Sequence, residues 1–102
     1  MRQRKLPSRV KVAGTSYTVI EKEVISANGN RNYDGVCSYY EEQIEILEEM
    51  SWNRKKSTFV HELLHAAMFE AGMKEHDEAL ICRLAPVLTQ VLSDNEFNWM
   101  RE

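Results

Sequence analysis

The chain changes its hydrophobic period near residue 51, and that change limits the fold more than any other feature of the sequence. Before it, apolar residues alternate with polar ones in short runs. Val10-Lys11-Val12 and Ser16-Tyr17-Thr18-Val19-Ile20 flank Gly14 and predict a β-hairpin. Gly35 to Tyr40 predicts a third strand, and Gln43-Ile44-Glu45-Ile46-Leu47 a fourth, with a tight turn at Glu41-Glu42 between them. Asn28-Gly29-Asn30 is the strongest loop signal. Beyond residue 51, Arg54 to Ala71 contains neither Gly nor Pro and predicts a helix capped by Ser51 or Asn53, whose side-chain oxygen can take up an orphan N–H. Gly72 suits the position past the helix end where positive φ is required. Met73-Lys74-Glu75 leads into a second predicted helix, His76 to Asp94, with Pro86 inside it and Leu80, Ile81, Leu84, Val87, Leu88 and Val91 as its apolar partners for the first. The expectation is an α+β domain covering residues 1–102: a small antiparallel sheet of three or four strands, then two packed helices.

Composition narrows the function. A net charge of −3 with interleaved signs lacks the basic face that phosphate binding leaves, so nucleic acid is not the expected partner. The basic start Met1-Arg2-Gln3-Arg4-Lys5 is followed by Leu6-Pro7-Ser8-Arg9 rather than an apolar h-region, so residues 1–7 read as a frayed arm. No apolar run approaches the ~20 residues that span a bilayer. A cytoplasmic protein with no membrane partner is expected, with Cys37 and Cys82 as buried free thiols. Trp52 and Trp99 are expected to pack at helix ends, and Arg54-Lys55-Lys56 to form a solvated first turn.

The chemistry concentrates in His61-Glu62-Leu63-Leu64-His65. Histidines at i and i+4 lie about 40° apart around a helix and one turn apart along it. Two imidazole nitrogens can then converge on one ion at about 2.0–2.1 Å, and zinc suits such nitrogen and carboxylate ligands. Glu62 is offset by about 100° from His61, so it flanks the site and is suited to general-base work on a water that the metal activates. The setting of Phe59, Val60, Leu63, Leu64 and Ala66 implies burial, where charged groups need partners. A third ligand must come from elsewhere. Glu70, five residues past His65, points to roughly the opposite face. Beyond Gly72 the candidates are Glu75, His76, Asp77 and Glu78, and Glu78 is preferred because the second helix, turning back, returns its first turn to the motif. Tyr33, Tyr39, Tyr40, His76 and Arg83 are open candidates for an oxyanion donor.

With His61-Glu62-Leu63-Leu64-His65, the glycine turn, a downstream Glu and a two-helix end, the chain resembles the gluzincin zinc peptidases. More closely, it is similar to the small zincin-like proteins of phages and mobile elements (the minigluzincins), and more distantly to the ImmA/IrrE type. The likeness runs from about Gly35 to Asn95. It implies a zincin-like fold with His61 and His65 as zinc ligands, Glu78 as the third, Glu62 as general base, and a peptide or protein substrate laid along the Gly35–Tyr40 strand. The metzincin pattern is not met, since Met68 and Ala71 stand where Gly and His are needed. Two other readings stay open at this point. One is a zinc-stabilised module, non-catalytic or latent, whose fourth metal position is filled by His76 or the C-terminal tail. The other is a metal-free domain that binds protein through its sheet edge.

Overall fold

The computed structural model describes residues 4–26 and 33–101, so the expected Asn28-Gly29-Asn30 loop and residues 1–3 lie outside the described part. The element order is β1 (Arg9–Val12), β2 (Thr15–Lys22), β3 (Gly35–Ser38), β4 (Gln43–Leu47), α1 (Trp52–Glu70), α2 (Glu78–Asp94) and a short 3-10 turn, Asn98–Met100. The described residues form an α+β arrangement of four strands and two long helices, as the change of period predicts.

The sheet is mixed, not antiparallel as expected. Its order is β1-β2-β4-β3, and β2 and β4 run parallel, with Val19 opposite Ile44 and Glu21 opposite Ile46. Both hairpins form, β1 with β2 and β3 with β4. They dock through their second strands, because those strands carry the side chains that must be fully enclosed: Tyr17 on β2, Ile44 and Ile46 on β4. Burying each isoleucine contributes about 1.5–3 kcal/mol, which a position at the sheet edge would forfeit in part. The four-residue strands β1 and β3 take the edges. The first hairpin turns on Ala13 (φ 51°) and Gly14 (φ 91°), a two-residue loop whose paired positive φ matches the strand twist. The second needs four residues, Tyr39 to Glu42, rather than a tight turn at Glu41-Glu42, with positive φ at Glu42.

Helix α1 crosses the sheet's inner face. Ala66 joins Leu6, Tyr17, Ile44 and Ile46 in the core, with Trp52 and Phe59 packed against it. The amino-terminal arm is thus held at Leu6, 8% exposed, instead of fraying throughout. Ser51 Oγ accepts the Arg54 N–H at 3.2 Å to cap the helix. At the other end Met73 N–H bonds Met68 O and Gly72 N–H bonds Phe69 O, with Gly72 at φ 87°. This six-to-one, five-to-two pattern halts the helix and redirects the chain. Asp77 Oδ1 then accepts the Leu80 N–H, so α2 starts at Glu78.

Only Ile81 and Ala85 of α2 are buried; Leu80, Leu84 and Val87, expected to pack on α1, are 40–58% exposed. Two helices over one small sheet enclose a narrower stripe than the sequence offers. Trp99 is likewise exposed, while Trp52 packs as expected. In the first turn of α1, Arg54 pairs with Asp34 and Lys55 with Glu21, tying the helix to the sheet side. Among the described residues no helix is long and apolar enough to cross a membrane.

Gly35 sets the distance between β3 and α1. A Cβ there would meet Thr58 Cγ2 at 2.8 Å, inside van der Waals contact. Without a side chain, the edge strand lies close against the helix turn that precedes His61.

Candidate metal centre

The helical repeat brings His61 and His65 onto one face of α1, ring centroids 5.2 Å apart. The Gly72 turn and the Asp77 cap then present Glu78, the first residue of α2, to both rings. Glu78 Oε1 lies 2.6 Å from His61 Nε2, and Oε2 lies 2.9 Å from His65 Nε2. One ligand atom from each of the three residues falls within 4.8 Å of the others, a grouping able to hold a metal ion. The donor chemistry, two imidazoles and a carboxylate, is the set that catalytic zinc sites use while leaving a fourth position open.

Glu62 stands beside this group and is 8% exposed, the one charged residue in the buried set among the described residues. Burial pushes its carboxyl from 4.5 up to about 7, and the Glu78 charge adds to the rise. Burial also lowers the pKa of His65, against the pull of Glu78, and so favours the neutral ring that can donate a lone pair.

These groups line a cleft of about 640 Å³ between β3, α1 and α2, whose walls include Tyr33, Gly35, Tyr39, Thr58, Cys82 and Pro86. Comparison of the chain with protein-family models, with curated proteins and with solved structures finds no match. The reading of the cleft therefore stands on its residues.

Asp77 is occupied as the cap of α2, and Glu75 is exposed. Glu70 faces the sheet, where Tyr17 and Thr15 donate to it. His76 sits against His65, its Nδ1 2.8 Å from His65 Nδ1, on the side of the ring away from Glu78. Tyr39 stacks on Phe69, centroids 4.3 Å apart, with its hydroxyl 3.4 Å from His76 Nδ1. Burial raises the Tyr39 hydroxyl to about 12, so it stays a neutral donor at physiological pH. Tyr33 lines the cleft, whereas Tyr40 is 96% exposed and Arg83 also faces solvent.

The cysteines divide. Cys37 packs against the core, and burial, then the nearby Glu62 and Glu70, push its thiol up to about 12. Cys82 is exposed, contrary to expectation, and its Sγ lies 4.0 Å from Glu78 Oε1. The spacing of Cys82 from Glu78, one helical turn, is a signal that reading the cysteines alone passes over.

Proposed function

We propose that the chain is a zinc-dependent peptidase of zincin-like fold, in which His61, His65 and Glu78 hold the ion and Glu62 moves the proton. The observation that carries the reading is the convergence of two imidazole nitrogens on both oxygens of Glu78, beside the buried carboxyl of Glu62. A bound zinc ion would supply a Lewis acid and bring the pKa of a water down to about 7. Glu62 has the matching role. A base with a pKa near the working pH can accept the proton of the attacking water and return it to the departing amine. Tyr33 and Tyr39 are the phenols within the cleft available to donate to the oxyanion.

The sheet supports a peptide or protein substrate. Among the described residues β3 pairs with β4 on one side only, and its residues Gly35, Val36 and Cys37 line the same cleft as the histidines. An extended chain can add to such an edge through main-chain hydrogen bonds. A cytoplasmic setting, with no role for nucleic acid or membrane, belongs to the same proposal.

The alternative, a non-catalytic or latent zinc module, needs a protein group in the fourth position. Neither group expected there favours it: the ring nitrogens of His76 are taken by His65 Nδ1 and the Met73 carbonyl, and Trp99 and Met100 of the tail are 73% and 60% exposed.

The test is metal analysis of protein purified without a metal-affinity tag, followed by incubation with a mixed peptide library. The expected result is one zinc per chain and peptide cleavage that a chelator stops. Glu62→Gln should keep the metal and lose the cleavage. Zinc without cleavage in the wild type would favour the non-catalytic module, and absence of zinc binding would remove both readings.

A further inference from the structure

We infer that His76 is a positioning residue which fixes the tautomer of His65 and aims its Nε2 lone pair at the metal position; this rests on the zinc reading above. The Met73 carbonyl can only accept, so its 3.1 Å contact with His76 Nε2 requires that nitrogen to carry hydrogen. In the neutral ring His76 Nδ1 is then a bare acceptor. It faces His65 Nδ1 at 2.8 Å. Two bare nitrogens would repel at that distance, so His65 Nδ1 carries the hydrogen and donates it. The other nitrogen of neutral His65, Nε2, is left with its lone pair directed at Glu78 Oε2, 2.9 Å away. Nε2 and Glu78 Oε2 then both present lone pairs, as two ligands of one ion do.

The anchor of this chain is backbone. Met73 belongs to the helix-ending motif whose N–H groups close on Met68 and Phe69 as the chain passes Gly72. Its carbonyl direction is therefore set by the end of α1, not by a mobile side chain. The two rings lie edge to edge and nearly coplanar, centroids 5.1 Å apart at 27°, the arrangement an in-plane Nδ1–H···Nδ1 bond requires. The Tyr39 hydroxyl lies further from His76 Nδ1, at 3.4 Å, so the single lone pair of that nitrogen goes to the closer His65 N–H. Metal-bound histidines commonly donate their second ring N–H to a carboxylate, carbonyl or water. Here a third histidine takes that place, and a main-chain carbonyl two bonds further on orients it.

The experiment compares wild type, His76→Phe and His76→Gln. Phe keeps an aromatic ring but offers no acceptor; Gln offers a carbonyl oxygen. Zinc affinity is measured by competition with a chromophoric chelator. The expected result is a loss of about 10–100-fold for H76F, the range typical of a removed outer partner, with most of it recovered in H76Q. In the zinc-loaded wild type, nuclear magnetic resonance should show a slowly exchanging His65 Nδ1–H with a through-bond coupling to His76 Nδ1. X-ray absorption should give the same number of nitrogen neighbours to zinc in wild type and H76F. H76F affinity within twofold of wild type, or absence of the coupling, would overturn the inference. Loss of a nitrogen neighbour in H76F would also overturn it, since His76 would then be a ligand. These outcomes are separable from the hydrolytic reading. If wild type binds zinc but cleaves nothing, the peptidase assignment falls while the His76 result stands. If wild type binds no zinc, both fall.

Discussion

Helix α1 carries two carboxylates, Glu62 and Glu70, that the fold treats in opposite ways. Glu70 meets the sheet, where the Tyr17 hydroxyl donates to Oε2 at 2.8 Å and Thr15 Oγ1 donates to Oε1 at 3.2 Å. Its charge has fixed partners, and burial together with that charge drives the Tyr17 hydroxyl upward, keeping it a donor. Glu62 meets the cleft, buried but with no hydrogen bond from any side chain among the described residues holding its charge. One carboxylate is a structural acceptor. The other is left near the point of titration, where a proton can move either way. The difference lies in what the sheet offers each turn of the helix, and the helix sequence by itself does not display it.

The sharpest break of this contrast comes from neutralising each acid in turn. Glu62→Gln should lower kcat/KM by about 10²–10⁴-fold, the range for a removed general acid–base, with zinc content unchanged. Glu70→Gln should leave turnover of the folded protein within a few-fold and instead reduce stability by about 1–3 kcal/mol, through weakened buried hydrogen bonds. Steady-state kinetics beside urea unfolding reads both effects. Equal catalytic losses in the two variants, at matched folded fraction, would dissolve the distinction.

A smaller effect concerns pH in the metal-free protein. The Glu62 carboxyl rises from 4.5 to about 7 on folding, so between those values the folded chain binds more protons than the unfolded one. Stability from this group is fully present below about pH 4.5 and is lost as pH rises through about 7. The whole span corresponds to about 3 kcal/mol at most. Glu62→Gln cannot titrate there. Urea midpoints of the two metal-free proteins should therefore separate as pH rises from 4.5 to 8, with the variant relatively more stable at the upper end. Parallel curves across that range would mean that Glu62 has an ordinary solvated carboxyl.

Much of this was legible in the sequence, for identifiable reasons. The period change near residue 51 gave the α+β order, and the i, i+4 histidines on a Gly-free stretch placed two rings on one face. Gly72 marked the end of α1, which returned Glu78 to the motif. The parallel pairing of β2 with β4 was not legible, because each hairpin is encoded locally while the docking between hairpins depends on which strand most needs enclosure. Nor was the exposure of Leu80, Leu84 and Val87, since an apolar period states what a helix could bury and not how much partner surface exists. The role of His76 was hidden for a third reason. Spacing suggested a ligand or a donor, whereas its contact with His65 Nδ1 is set by where the Met73 carbonyl points.

The gentlest probe acts on the structural side of the comparison. Tyr17→Phe removes one hydroxyl from a fully buried ring and leaves the aromatic packing among Leu6, Ile44 and Ile46 in place. Glu70 keeps Thr15 as a donor, so its charge is weakened in support but not stranded. Hydrogen bonds to charged groups contribute about 1.5–3 kcal/mol, and retention of the second donor places the expected loss at about 1.5 kcal/mol. A double-mutant cycle with Glu70→Gln isolates the pair, and a coupling of at least about 0.5 kcal/mol is expected for groups in direct contact. If the two changes simply add, the Tyr17 hydroxyl does not hold Glu70 in solution, and the contrast with Glu62 would then rest on burial alone.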